Sequence, residues 1–275
     1  MNIEVHDTAF VIAYYRAQHE ILSQDPYAKL WSKDSLKIFA DEFATQVSVY
    51  DEMLHCMRNR YFHDELQELA TTHKDLLFIN LGAGFSMYPY SLPDSVISVE
   101  VDFKEIMLYK DITTDTFLKE GKLPKRKVKR IAADITNAEG QQKIKETISE
   151  FENYTKVILI EGVFFFLNKR AIETVLNFCA DIQSKDDLVL CISFDESQNE
   201  TKVFKRLKQY FSETLQSHEN PYTCLPHKFY ENIEGYSLKK KYSTLALGKQ
   251  LGCIETSVKE EEILNEHCYT LFKIR

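Results

Sequence analysis

The sequence predicts a doubly wound α/β fold built on a mostly parallel sheet, and three observations carry that expectation. From residue 76 short apolar runs alternate with stretches of helical periodicity. A G-x-G turn follows directly on the first run, and an acidic pair closes the second. Continuous apolar strands separated by helices indicate a parallel sheet covered on both faces.

The strand candidates are Leu76–Asn80, Val96–Glu100, Val128–Ala132, Val157–Glu161 and Leu188–Ser193, with helices expected near 104–119, 138–152 and 168–183. Residues 1–75 read as a helical cap. Asp7 or Thr8 is placed to cap a first helix reaching about Leu22. Asp25-Pro26 then breaks the chain. Leu36, Phe39, Phe43, Val47, Tyr50, Leu54, Met57 and Tyr61 recur at steps of three and four, which predicts one long amphipathic helix. Beyond 200, Phe204–Leu215 reads as helix and Ser237–Leu245 and Cys268–Ile274 as strands, the last of them closing the sheet edge. No linker-like stretch and no internal repeat is found, so 1–275 reads as one domain, with a cap over 1–75 and a core over 76–275.

Composition narrows the function. Hydrophobic residues make up 44% and charged residues 28% of the 275, enough for a packed core. Asp plus Glu (42) exceeds Lys plus Arg (34), and a net charge of −8 opposes non-specific binding to nucleic acid or anionic membrane. The longest apolar runs, Val157–Ile160 and Val163–Leu167, fall far short of the ~20 residues of a membrane span. MNIEVHDTAF lacks the basic and apolar regions of a secretory signal. The six cysteines form no CxxC pair and read as reduced thiols, so a cytoplasmic protein is expected. The eight histidines form no HxxxH pair, and no metal is expected. Lys122–Arg130, six basic residues in nine, reads as a solvated loop.

The chemistry gathers at the strand ends. Gly82 and Gly84 form the turn after the first strand, where ligands of such folds bind. Glu100 and Asp102 follow Gly82 by 18 and 20 residues, and an acid there can accept both hydrogen bonds of a ribose diol. Met87 occupies the slot of the third glycine that a dinucleotide fingerprint requires, and Pro89 and Pro93 shorten the following helix. A ribose-bearing ligand without pyrophosphate, such as S-adenosylmethionine, therefore fits better than NAD. Asp134 can accept from an adenine amino group while Ile135 packs on the ring; Asp134 as a plain helix cap is the competing reading. Glu161 sits at the tip of the fourth strand, near a sulfonium or amino group, and requires a cationic partner. Tyr14, Tyr15, Tyr88, Phe164, Phe165 and Phe166 are candidate pocket walls.

TAFVIAYYRA (8–17), DPYA (25–28), MRNRYFHDEL (57–66), INLGAGFSMYPYSL (79–92), EVDFKEIMLYK (100–110), AADI (132–135) and IEGVFFFLNKRAIETVL (160–176) occur in that order. Together they resemble the leucine carboxyl methyltransferase family, which contains protein phosphatase methyltransferases and bacterial polyketide-type O-methyltransferases. The resemblance spans about residues 8–180. It implies a Rossmann-like class I methyltransferase fold with an N-terminal helical cap, S-adenosylmethionine as donor and S-adenosylhomocysteine as product. It further implies that Arg58 binds the donor carboxylate, with Arg60 as its neighbour in that task. By the same resemblance Gly82 lines the methionine end and Asp102, with Glu100 as competitor, holds the ribose. Asp134 and Ile135 hold the adenine, and Glu161 the methionine amino group. Ser86, Met87, Tyr88 and Ser91 depart from the family's LGAGxDTRxYRL.

The implied activity is O-methylation of a carboxylate on a small metabolite, which needs no base because the acceptor is ionised at pH 7. A protein C-terminal carboxylate is the alternative acceptor. A donor-binding protein without catalysis and an NAD-dependent reductase are the readings from other classes.

Overall fold

The computed structural model describes residues 5–214 and 222–275. In chain order the helices are α1 (Val5–Gln18), α2 (Glu20–Ser23), α3 (Leu36–Gln46), α4 (Asp51–Thr72), α5 (Tyr88–Ser91), α6 (Lys104–Lys119), α7 (Ala138–Ile148), α8 (Lys169–Ile182), α9 (Lys202–Thr214), α10 (His227–Glu231) and α11 (Thr244–Gln250). The strands are β1 (Leu76–Leu81), β2 (Ile97–Asp102), β3 (Lys127–Ala132), β4 (Thr155–Ile160), β5 (Leu188–Phe194), β6 (Tyr236–Ser243) and β7 (Glu266–Lys273).

They form one seven-stranded sheet in the order β3-β2-β1-β4-β5-β7-β6. The first five strands are mutually parallel, and β7 runs antiparallel to both β5 and β6. The pleat sorts β1 into two cores. Leu77, Ile79 and Leu81 face Ile144 of α7 and Ile172 and Val175 of α8. Leu76 and Phe78 face Phe62 and Leu66 of α4. β1 is buried at every position and β3, at the sheet edge, alternates, as its sequence KVKRIA requires.

Five expectations change. The long cap helix is two helices, α3 and α4. Between them Ser48 Oγ accepts from the Tyr50 backbone N–H at 3.2 Å, and two β-branched valines flank it. Among the described residues the first helix covers Val5–Gln18, so Asp7 and Thr8 lie within it, and it ends at Gln18 rather than near Leu22. β6, not the final strand, forms the edge, with β7 inserted between β5 and β6. The segment 237–245 turns from strand to helix at Thr244. Lys122–Arg130 is no simple solvated loop: its second half is strand β3, and Arg130 is drawn inward by Glu100, Asp111 and Tyr90.

Candidate donor and acceptor sites

The turn after β1 is shaped by two constraints. Gly82 has φ +75°, and a Cβ there would meet Val163 Cγ2 at 2.2 Å. Gly84, at φ +44°, donates its N–H to Asp102 Oδ2 at 2.7 Å. Phe103 N–H donates to Asp102 Oδ1 at 2.7 Å. Asp102 thereby locks the turn to the tip of β2. A carboxylate offers about four acceptor positions, so two remain for a diol. Burial pushes its carboxyl up from the ordinary range, against the pull of the two N–H donors.

Glu100 behaves otherwise. It lies one pleat back from the strand tip, about 7 Å deeper. Its side chain is fully buried, with Oε1 2.6 Å from Lys110 Nζ and Oε2 3.0 Å from Arg130 Nε. Both oxygens are spent on internal cations, and Glu100 lies outside the cavity wall that Asp102 lines.

That cavity has a volume of about 540 Å³. Arg58, Gly82, Gly84, Asp102, Asp134, Ile135 and Glu161 all line it, so of the expected donor residues all but Glu100 and Arg60 are brought together. Asp134 Oδ1 accepts from the backbone N–H and the hydroxyl of Thr136 at 2.8 and 2.7 Å. It is a turn-former; the cap of α7 is Asn137, which accepts from Gly140 N–H at 2.9 Å.

At the other end of the cavity lies a buried charge cluster. Arg58 Nε donates to Glu161 Oε1 at 2.8 Å, and Tyr88 Oη donates to Glu161 Oε2 at 2.7 Å. Arg58 Nη1 reaches Glu266 Oε2 at 3.0 Å. Burial opposes the Arg58 charge, but Glu266 and Glu161 outweigh it and hold the guanidinium above its ordinary value. Burial would raise Glu161, yet Arg58, Arg16 and Tyr88 hold its carboxyl below the usual range. The cationic partner that Glu161 required is thus Arg58. Arg60 takes no part: it pairs with Asp64 at 2.6 Å, one turn along α4. The second cation in the cavity wall is Arg16 from α1, buried and 3.1 Å from Asp25.

A second, narrower cavity of about 120 Å³ opens beside the first. The two share Ile12, Arg58, Gly162 and Phe166. Its wall is aromatic, with Tyr15, Phe39, Phe43, Phe165 and Phe211, and carries Asp51, His55 and Glu266. Of the expected wall residues, Tyr15 and Phe165 line it, while Phe166 belongs to both cavities. Tyr14 lies outside both walls, packed in the cap with Val11, Tyr15 and Ala40. Tyr88 lies beneath the donor cavity, its phenol committed to Glu161. Phe164 is core. Sequence reasoning missed Arg16, Asp51, His55 and Glu266. The Asp51–His55 pair has a legible signal, an acid and a histidine four apart on a helix face.

Solved structures share this fold. A candidate methyltransferase from Thermobifida fusca YX superposes with a TM-score of 0.66 at 13% identity, over 100% of this chain and 96% of that one. A DUF574 family protein from Streptomyces avermitilis MA-4680 gives 0.66 at 12%, over 97% of each chain. Magnesium protoporphyrin IX methyltransferase from Synechocystis PCC 6803, with bound S-adenosylhomocysteine, gives 0.52 at 9%, over 86% of this chain and 99% of that one. No curated protein matches the sequence. The architecture is that of the Rossmann-like class I methyltransferases. The leucine carboxyl methyltransferase family model matches residues 8–180, and the chain belongs to that family. It is an S-adenosylmethionine-dependent methyltransferase.

The donor cavity fits this cofactor. Asn80 Oδ1 is buried in its wall with no hydrogen-bond partner among the described residues, and the Gly82 cradle would be filled by any side chain. When bound, the cofactor supplies an electrophilic methyl group on a sulfonium. The chain supplies two guanidiniums at one end (Arg58, Arg16), each paired with internal carboxylates, an acidic rim (Asp102, Asp134) and largely apolar walls.

Proposed function

We propose that the protein methylates an oxygen of a small, ring-bearing metabolite. The observation that carries this reading is the aromatic cavity contiguous with the donor cavity through Arg58, Gly162 and Phe166. Its size and walls suit one ring system better than an extended peptide. In the donor cavity Arg58 and Arg16 take the methionine carboxylate, Asp102 the ribose, and Asp134 with Ile135 the adenine. Glu161 takes the methionine amino group while remaining compensated by Arg58.

A carboxylate acceptor is the second reading, favoured by Arg58 at the junction of the two cavities. A carboxylate needs no base, yet an imidazole, His55 of α4, lies in the acceptor wall. The test is transfer of label from methyl-labelled S-adenosylmethionine into extracts separated by size. Label in small molecules supports the proposal, and label confined to protein overturns it. Label released as methanol by mild alkali marks a methyl ester and selects the carboxylate reading; alkali-stable label selects a hydroxyl.

A further inference from the structure

His55 lines the acceptor cavity, with Nε2 beside a carboxylate and Nδ1 buried without a hydrogen-bond partner among the described residues. Nε2 lies 3.3 Å from Oδ2 of Asp51, one turn earlier on α4. The ring stacks on Tyr15 of α1, with centroids 5.8 Å apart and 18° between planes. Nδ1 is buried and has no hydrogen-bond partner among the described residues. A buried imidazole nitrogen left unpaired costs the desolvation free energy of that group, so its partner is to be sought in a bound molecule. An acid beside one ring nitrogen and an unpaired second nitrogen is an arrangement that lets an imidazole take a proton.

The charges around the ring select the acceptor. From α4 come Asp51, Glu52 (paired with His19) and Arg58; from α1, the Tyr15 phenol; from β7, Glu266. In the cavity wall two carboxylates stand against one guanidinium, and that guanidinium is already bound by Glu161 and Glu266. Arg58 also lines the donor cavity, where it takes the methionine carboxylate, so an acceptor arriving as an anion competes with the donor for the one cation of this wall. A neutral acceptor that must lose a proton meets a base and aromatic walls.

We propose that His55, oriented by Asp51, is the general base for a phenolic hydroxyl bound in the aromatic cavity. The proposal rests on the small-acceptor reading above and names its substrate class. A phenol is protonated at neutral pH and requires such a base. The phenolic O–H bond breaks and its proton passes to Nδ1. The oxygen's electron pair forms the bond to the methyl carbon, and the carbon–sulfur pair returns to sulfur. The imidazolium, stabilised against Asp51, then releases its proton to solvent.

The experiment uses 4-nitrophenol, whose anion absorbs visible light, titrated with pH in the presence of the purified protein and S-adenosylhomocysteine. Bound to the wild type, the anion should appear about one pH unit or more below the midpoint of the free phenol, a tenfold change in ionisation. His55→Gln should bind the probe and abolish the shift, and Asp51→Asn should reduce it. His55→Phe, which keeps a ring against Tyr15, serves where Gln unsettles the stack. Calorimetric binding of S-adenosylhomocysteine to each variant reports that the fold and the donor cavity are intact. An unshifted midpoint in the wild type, a shift that survives in both His55 variants, or no binding of the probe overturns the proposal. Failure of the wild type to bind S-adenosylhomocysteine overturns instead the donor reading on which it rests.

Discussion

Arg58 Nε lies 2.8 Å from Glu161 Oε1, and the same guanidinium closes on Glu266 at 3.0 Å through Nη1. One cation from the cap thereby ties the tip of β4 to the start of β7, at the junction of the two cavities. Its removal strands two buried carboxylates, and breaking a buried pair in this way costs roughly 3–5 kcal/mol. Arg58→Ala should therefore lose both S-adenosylhomocysteine affinity and thermal stability, read by calorimetry and by the melting midpoint. A variant that melts with the wild type and binds as well would remove Arg58 from both roles.

The two acids of β2 should separate cleanly. Asp102→Ala should weaken S-adenosylhomocysteine binding at least tenfold, about 1.4 kcal/mol, because the rim carboxylate and its hold on Gly84 go together. Glu100→Ala should leave donor affinity of the folded protein near wild type and instead lower stability, since Lys110 is left buried without its acid. The opposite pattern, with binding lost on Glu100→Ala alone, would return the ribose to Glu100.

Much of this was legible in the residues, and the failures have physical causes. Five parallel strands are legible within a few residues because four are apolar runs bounded by turns and the fifth, β3, alternates. Asp102 and Glu100 could not be ranked, because choosing between them needs the distance of Lys110 and Arg130, brought in from α6 and β3. Val47 and Tyr50 keep the apolar period through the break that Ser48 makes, so the sequence there has the pattern of one helix. Glu266, 208 residues from Arg58, has no local signal at all. His55 belongs to no HxxxH pair, and its local signal is Asp51, four residues earlier on the same helix face.

Gly82→Ala tests the turn. The residue sits at φ +75°, where L side chains are strained, and the added Cβ would meet Val163 Cγ2 at 2.2 Å. Strain alone costs on the order of 1–3 kcal/mol, and Val163 must also move. Urea unfolding should show that loss, with weaker S-adenosylhomocysteine binding. Pairing the change with Val163→Ala should restore part of the stability; no recovery in the double variant would assign the loss to backbone strain alone.

His267 gives the chain a pH-dependent stability that can be read without any ligand. The side chain is largely buried on β7, its ring 4.6 Å from that of His227, with Glu260 4.0 Å from its Nε2. Burial first, then the neighbouring His227, lowers its imidazole from the ordinary 6.5 to about 4. The sign follows from which state binds the proton. Above about pH 6.5 the group is neutral in both states and has no effect. Between there and about pH 4 the unfolded chain takes up a proton that the folded chain refuses, so stability falls as the pH falls. The full loss is on the order of 3 kcal/mol. His267→Gln removes this titration, so its unfolding free energy in urea should decline less steeply than that of the wild type between pH 6.5 and 4.5. Parallel curves for the two proteins across that window would show that His267 titrates normally in the folded state.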